Sequence, residues 1–336
     1  MSPNITIVGG GLAGLSLAVA LRNEGIEVEL FEKRHYPFHR VCGEFISGVS
    51  EQVLIDLGIR DCFEGRAEVD SMVWFIKDRV VLEECLPKPA LGISRYTLDQ
   101  RLAELAKHLG ADVHQGKAYR EKDAQGTVWA SGKSLDRKSV WVGLSAHFED
   151  IGVDRLEMHC GSTGYLGLSP IENGRVNVTG LFRKQPRIKA RGVDLMYAYL
   201  EANGSHILSR RLQEGFLVKG SFAAIAGFEF GSQPSRGFTL GDRSLLIPPL
   251  AGNGMSMALE AASGAVSSLR PYCEGVCSWE QAIALQKDFL RQSFQLRMNV
   301  ATRLHPILLS SLGLKTLSFF AGTGLLPTRQ LYQALR

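Results

Sequence analysis

Four β-prone residues, Ile5-Thr-Ile-Val8, run straight into a glycine cluster, and apolar positions at Leu15, Ala18, Val19 and Leu21 then recur with helical period until Gly25. Val28-Glu-Leu-Phe-Glu32 returns to alternation. This pattern predicts strand, tight turn, helix and second strand. A polar, glycine-containing loop follows from Lys33 to Ser47, too long for a simple helix–strand connection, and loops of that kind at the edge of a parallel sheet serve ligands. Val53, Leu54 and Leu57 mark a helix ending at Gly58, and residues 69 to 86 read as a hairpin turned at Lys77-Asp78. A helix with the stripe Leu98, Leu102, Leu105 and Leu109 has its start signal at Thr97 or Asp99 and stops at Gly110. Ala111 to His114 and Val128 to Lys133 read as further short strands, separated by a brief polar segment.

From Val140 to Phe182 the texture changes to strands and turns, over 140–148, 155–160, 165–169 and 175–182. This predicts an antiparallel sheet in a separate domain. Helices over about 192–213 precede a strand from Gly215 to Ile225, and Gly237-Phe-Thr-Leu-Gly-Asp242 reads as a strand ending on an acid. Pro248-Pro-Leu-Ala-Gly-Asn-Gly-Met255 opens a helix running to about Leu269, and the remainder from Trp279 reads as helical.

Gly9, Gly11 and Gly14 stand at G-x-G-x-x-G spacing, with Leu12 and Ala13 between the last two. Gly9 makes the turn, Gly11 admits a pyrophosphate to the backbone, and Gly14 lets helix and strand pack closely. The helix N-terminus offers unpaired N–H groups to the phosphates. Glu32, ahead of Lys33 at the end of the second strand, is placed to accept the hydroxyls of an adenosine ribose. Dinucleotide binding is the reading; a plain βαβ unit with no ligand is the alternative. Gly322-Thr-Gly324 lacks a preceding strand and a third glycine, so no second nucleotide domain is expected.

Length and composition fit about two domains of ordinary globular type: 336 residues, 45% hydrophobic and 21% charged. The net charge of +4 comes from scattered Lys and Arg, which argues against nucleic acid as a partner. The first strand starts too early for a signal peptide and no apolar run is long enough to span a bilayer, so a cytoplasmic location is expected. Cys42, Cys62, Cys85, Cys160, Cys273 and Cys277 form no C-x-x-C pair and no metal spacing with histidine, so reduced thiols and no metal are expected. Pro306 to Leu314 and Leu317 to Phe320, joined by Lys315 and flanked by Arg303, His305 and Arg329, read either as helices packed on the substrate domain or as a segment lying in a membrane interface.

Three stations stand in fixed order: the glycine fingerprint with Glu32, the Arg40-Val-Cys-Gly-Glu44 loop, and Gly241-Asp242 followed by Gly252-Asn-Gly-Met255. Over roughly residues 1 to 270 the chain resembles the FAD-dependent oxidoreductases of the p-hydroxybenzoate hydroxylase fold, most of all their geranylgeranyl-reductase-like branch. The resemblance implies an α/β fold: a Rossmann-like FAD-binding domain of the GR2 flavoprotein type, an antiparallel-sheet substrate domain and C-terminal helices. It implies FAD-domain segments 1–70, 91–139 and 235–275, substrate-domain segments 71–90 and 140–234, and a helical region 276–336. It also implies that the Tyr36-Pro37 to Cys42-Gly43 loop lies beside the isoalloxazine, with Ser94-Arg95 and Leu98-Asp99 as a second flavin-side element and Ala130-Ser-Gly-Lys133 with Leu135-Asp-Arg137 as a glycine motif. On that basis Gly9, Gly11, Leu12, Ala13, Gly14, Glu32, Lys33, Arg40, Cys42, Gly43, Arg95, Asp242, Gly252, Asn253, Gly254 and Met255 are the expected FAD contacts. Cys42 is read as a flavin-side catalytic thiol or as a small packing residue.

The chain departs from that pattern in two places. Gly116 to Thr127 is barely a turn where the family inserts a small hairpin, so part of the cover over the adenine side is missing. The Trp-x-Trp-x-Ile-Pro signature of flavin halogenases is not matched by Val73-Trp-Phe-Ile-Lys77, which argues against halogenation. The expected activity is oxidoreduction of a hydrophobic small molecule, by double-bond reduction or NAD(P)H- and oxygen-dependent monooxygenation, with NAD(P)H docking transiently. The alternative is a non-catalytic binding module with weakened FAD affinity. His159 and Glu157, on one strand face, with Tyr165 just after, either line the substrate side or form a solvated sheet face.

Overall fold

The computed structural model describes residues 4–120, 124–134, 136, 138–232, 237–249, 252–323 and 328–335. Leu135, Arg137, Leu250, Ala251 and Gly324, named in the motifs above, lie outside them. A five-stranded parallel sheet is built from β1 (Ile5–Val8), β2 (Val28–Glu32), the later strands β6 (Asp112–Gln115) and β7 (Thr127–Trp129), and β15 (Phe238–Thr239), in the order β15-β7-β1-β2-β6. The helix α1 (Leu12–Asn23) starts directly at the glycine turn, with extended Gly11 as its N-cap.

The second sheet is mixed. It contains β3 (Phe45–Ile46), β4 (Ala67–Ile76), β5 (Arg79–Gly92), β8 (Trp141–Glu149), β9 (Leu156–Gly161), β10 (Gly164–Pro170), β11 (Val176–Arg183), β12 (Phe216–Leu217) and β13 (Ala223–Ala226). The β4–β5 hairpin turns at Lys77-Asp78, both with positive φ, as the pattern predicted. β9 joins it in parallel to β4, so the 71–90 and 140–234 segments share one sheet. That sheet reaches back to Phe45 and Ala67, inside the stretch assigned above to the FAD domain.

Three other boundaries differ from the sequence pattern. The helix α3 (Arg95–His108) follows α2 (Glu51–Asp56) in chain order and is capped by Ser94, whose Oγ accepts from Thr97 N at 3.0 Å, rather than by Thr97 or Asp99. Gly215 to Ile225 is not one strand but β12 and β13, both paired with β8. After α4 (Asp194–Asn203), α5 (His206–Glu214) and the strand pair β14 (Gly231–Ser232) and β16 (Leu245–Leu246), the helix α6 (Gly254–Cys273) continues a full turn past Leu269.

Burial explains how the parts are held. One core gathers Ile5, Ile7, Leu15, Val19 and Leu30 with Leu98 and Leu102 of α3 and Leu259 and Ala262 of α6. A second lies between the mixed sheet and α4 and α5, around Leu144, Phe148, Leu166, Val178, Met196, Leu200 and Leu212. The opposite face of that sheet carries a third, around Trp141, Met158, Cys160, Tyr165, Leu181, Phe228, Leu309 and Leu314.

The helix α7 (Trp279–Leu308) begins with a capping box, Ser278 N to Gln281 Oε1 at 2.8 Å and Gln281 N to Ser278 Oγ at 3.3 Å. Its Leu290, Phe294, Met298 and Ala301 pack into the first core, and Leu309 and Leu314 just beyond it enter the third. The segment from Pro306 thus packs on the substrate-side sheet, while α7 before it packs on the first core. It continues into α8 (Ser311–Gly322) and α9 (Thr328–Ala334).

Tyr119 packs against side chains of the parallel sheet. Its ring packs 5.1 Å from Phe31 and 5.9 Å from Trp129. On the same sheet Glu29, Asp112 and His114 bring ligand atoms within 4.8 Å of one another. Lys117 Nζ lies 3.5 Å from His114 Nδ1, while Nε2 serves Glu29 at 2.8 Å and Asp112 at 3.2 Å. That cluster is self-satisfied.

Candidate active site

The glycine turn shows why each glycine is there. Gly9 has φ of +113°, open to residues without a Cβ. A Cβ on Gly14 would run into the Gly9 carbonyl and lie 3.2 Å from Ala130 Cβ, so this glycine serves helix–strand packing. Gly11 is different: its backbone is extended, φ −90°, and a Cβ there would find a single neighbour within 4 Å, Arg95 Nη2 at 3.6 Å. Nothing in the protein requires glycine at 11. Leu12 and Ala13 are buried behind the turn, and the first turn of α1 has no acidic side chain to oppose an anion.

A ring of charge stands in front of that turn. Glu32 is buried, accepting from Gly10 N at 3.0 Å and Arg34 N at 3.1 Å, with Arg40 Nη2 at 3.3 Å. Lys33 is exposed. Arg40 also donates to Gly10 O at 3.1 Å and to Asp99 at 3.0 Å. Asp99 in turn holds Arg95 at 2.7 and 2.8 Å. The Tyr36 hydroxyl donates to Gly10 O at 2.5 Å, and burial together with Asp99 and Glu32 pushes it well above the usual phenol range. Two guanidinium groups are thereby aimed at a helix N-terminus, an arrangement suited to a pyrophosphate.

The Cys42-Gly43 loop is fixed from the mixed sheet. Asn177 Nδ2 donates to Cys42 O at 2.9 Å and Gly43 O at 2.8 Å, and Ser145 Oγ donates to Asn177 Oδ1 at 3.0 Å. Burial pushes the Cys42 thiol up, against the pull of Arg95, so it is protonated at neutral pH. Glu44, also buried, accepts from Arg95 N at 2.8 Å and meets His147 Nε2 at 2.6 Å; burial raises its carboxyl. The loop, the sheet and the start of α3 are thus tied together through buried polar groups.

The third station closes the ring. Asp242 sits in a short 3-10 turn after β15 rather than at the strand's own end, and no hydrogen bond holds its carboxylate among the described residues. It lines a small pocket with Gly241, Gly254, Met257 and Ala258. Gly252 has φ of +64°, its Cβ position lying 3.2 Å from Phe45, and a Cβ on Gly254 would meet nothing within 4 Å. Asn253 caps α6; its buried Oδ1 has no partner among the described residues and its Nδ2 donates to Leu335 O, while Met255 is buried behind it. Tyr332 of α9 reaches Ser47 Oγ at 3.1 Å, so the C-terminus rests at this end of the site.

His159 and Glu157 do not line the substrate side. They point at α5, where Arg211 Nη2 bonds Glu157 at 2.8 Å, His159 Nε2 lies 3.1 Å from Glu157, and Phe75 stacks on His159 at 4.4 Å. Nor is that face solvated: Glu157 and His159 are 7% and 5% exposed. Tyr165 lies on the opposite face, in the third core. That face also carries Gly143, Ser145, Asn177 and Thr179 beneath the Cys42-Gly43 loop, with Thr179 Cγ2 3.9 Å from where a Gly43 Cβ would be. Cys273 is buried and Cys277 half-buried, both unpaired, as expected for structural thiols.

Sequence reasoning placed Asp99 and Glu44 within flavin-side segments without their partners, and missed Tyr36 as a group on the turn and His147 and Asn177 altogether. Asp99 carries a local signal, four residues after Arg95 on one helix face. The others meet only through tertiary contacts.

Residues 3–139 match the family model described as an FAD binding domain. A squalene epoxidase of Aspergillus fumigatus is 39% identical over 69 residues, which is 20% of this chain and 14% of that protein, so the match spans a small part of the relative. Among solved structures, a geranylgeranyl bacteriochlorophyll reductase-like protein from Thermoplasma acidophilum superposes with a TM-score of 0.76 at 17% identity, covering 99% of this chain and 95% of that one. A flavin-dependent brominase superposes with a TM-score of 0.75 at 18% identity, covering 99% and 93%. At such identities the likeness is one of fold. Residues 3–139 thus match an FAD binding domain, in a chain that shares its fold with the reductase-like protein and the brominase.

Proposed function

We propose that the protein is an FAD-dependent oxidoreductase acting on a hydrophobic small molecule. The observation that carries this reading is the pair Gly11 and Gly254. Both stand at helix N-termini, neither has a positive φ, and a side chain at either would meet almost no protein atom. Glycine there keeps space for something other than protein. The donor set fits FAD: Arg95 and Arg40 beside Gly11 for the pyrophosphate, and Glu32, whose Oε1 has one donor, for the adenosine ribose. Asp242, whose carboxylate has no hydrogen bond among the described residues, suits the ribityl chain, and Asn253 with the N-terminus of α6 suits the pyrimidine edge.

FAD, when bound, supplies hydride or oxygen-activating chemistry. The residues of this chain bind, orient and exclude water. The Cys42-Gly43 loop and the apolar face with Tyr165, Met158 and Leu181 form the substrate side, and the neutral Cys42 thiol is a proton donor there. Double-bond reduction and monooxygenation both fit, the second supported by the squalene epoxidase relatives and the first by the Cys-Gly loop. NAD(P)H docks transiently as the electron donor.

The test is direct. Purified protein should carry bound flavin, and FAD with NADPH should be reduced without oxygen. Peroxide release in air, without substrate, favours monooxygenation; its absence, with a reduced double bond in an isoprenoid substrate, favours the reductase. Colourless protein that neither binds nor reduces FAD would leave only a binding module.

A further inference from the structure

The third core holds polar atoms that an apolar cluster does not need. His305, on the last turns of α7, is 6% exposed, and its Nε2 has no partner among the described residues. Its ring is wedged among aromatics, 5.0 Å from Phe230, 5.1 Å from Trp141 and 6.4 Å from Tyr165. Trp74 Nε1, against the same cluster, is also buried without a partner among the described residues. Native interiors rarely leave such groups unpaired, because each forfeits the hydrogen bonds it made to water. Burial, with Arg183, lowers the His305 imidazole to about 4, so the ring is neutral at physiological pH.

His305 is also connected to the flavin side. Val41 Cγ1, beside Cys42, lies 3.0 Å from where a Gly143 Cβ would be, and Phe228 Cζ lies 3.8 Å from the same point. Phe228 packs 5.7 Å from Phe230, which packs on His305. On the sheet beneath, Gly143, Leu181 and Tyr165 are paired neighbours. A continuous chain of apolar contacts therefore runs from the Cys42 loop to His305.

We propose that His305 is a specificity residue that reads one uncharged oxygen, a hydroxyl or carbonyl, at the far end of an otherwise apolar substrate. A hydroxyl can donate to an imidazole nitrogen or accept from it, whichever tautomer is present; a carbonyl takes the N–H form. A phosphate head does not belong here, because it would set a dianion against an uncharged ring among aromatic side chains. The proposal rests on the reading of this face as the substrate side of a flavin site.

The experiment titrates the protein as purified with farnesol, with the hydrocarbon farnesene and with farnesyl phosphate, following tryptophan fluorescence, since Trp141 adjoins His305. Wild-type protein should bind farnesol about tenfold or more tightly than either of the others, the size expected of one buried hydrogen bond. His305→Leu should bind farnesol and farnesene alike, and His305→Gln should recover part of the preference. Flavin content, measured on the same samples, should not change. Equal wild-type binding of farnesol and farnesene, a preference that survives in both variants, tighter binding of the phosphate, or no binding of any probe would overturn the assignment. A farnesol preference in protein that takes up no flavin would sink the flavin reading and leave His305 standing.

Discussion

Asp99 grips Arg95 with both carboxylate oxygens, Nε to Oδ1 at 2.7 Å and Nη2 to Oδ2 at 2.8 Å, and the same Oδ2 accepts Arg40 Nε at 3.0 Å. One carboxylate with 2% side-chain exposure thus aims both cations that face the glycine turn. Asp99→Asn should lower FAD affinity at least tenfold and stability by about 3 kcal/mol, since removing one partner of a buried pair leaves the other charge uncompensated. Flavin titration and urea unfolding would check the two effects. Unchanged affinity would mean that neither arginine touches the cofactor.

Gly11 and Gly14 should fail in opposite ways. Gly14→Ala forces a Cβ against the Gly9 carbonyl and should cost about 1–3 kcal/mol of stability. Gly11→Val meets no protein obstacle, so it should unfold at the wild-type denaturant concentration while retaining little flavin. Asp242→Ala should behave like Gly11→Val. Wild-type flavin content in either would contradict the site.

Glu32→Ala should weaken FAD more than FMN, because only FAD carries the adenosine ribose. Some loss for FMN is expected as well, since Glu32 also holds the Gly10 N–H of the turn. Equal losses for the two flavins would confine Glu32 to the turn.

The His305 imidazole, lowered by burial from 6.5 to about 4, makes stability depend on pH with a definite sign. Between those values the unfolded chain takes up a proton that the native ring refuses. Stability should therefore fall as pH drops from 6.5 towards 4, by roughly 1.4 kcal/mol per pH unit from this group. Above pH 6.5 it should be level. Thermal melts of His305→Leu against wild type across pH 4 to 7 should show a shallower slope; parallel curves would refute it.

The C-terminal helices are proposed to lie on an anionic membrane. Leu312 and Phe319 on α8 are 76% and 65% exposed while Leu314 and Leu317 on the same helix are buried. No Asp or Glu follows Asp288, whereas Arg303, Lys315 and Arg329 do. No single helix among the described residues is long and apolar enough to cross a bilayer, and α7 and α8 meet at a bend of 102°. Because Leu314 belongs to a core, truncating the tail would damage the fold. The better variant is Leu312→Ser with Phe319→Ser and Lys315→Glu, which should abolish salt-sensitive co-sedimentation with anionic liposomes while keeping flavin.

The glycine turn, α1, the β4–β5 hairpin and the strands from 141 to 183 were legible because periodicity and turn chemistry are local. What failed was anything needing to know which face of a strand meets which partner. The alternation on β9 puts His159 and Glu157 together, but both faces of that strand are buried, one by α5 and one by the third core, so parity alone could not choose. Asp242 was legible as an acid after a strand, though its 3-10 turn was not. A lone histidine in an apolar helix carries no signal at all, which is why His305 emerges only from its neighbours.

The helix α7 is about 45 Å long at 1.5 Å per residue for its 30 residues. Its early turns are embedded in the nucleotide-binding core and its far end in the apolar face of the mixed sheet. A strut anchored at both ends forbids the two halves from swinging apart. We propose that entry to the apolar face is local, by excursions of α8 about its corner at Leu309-Ser310, rather than by a jaw-like motion of the whole molecule.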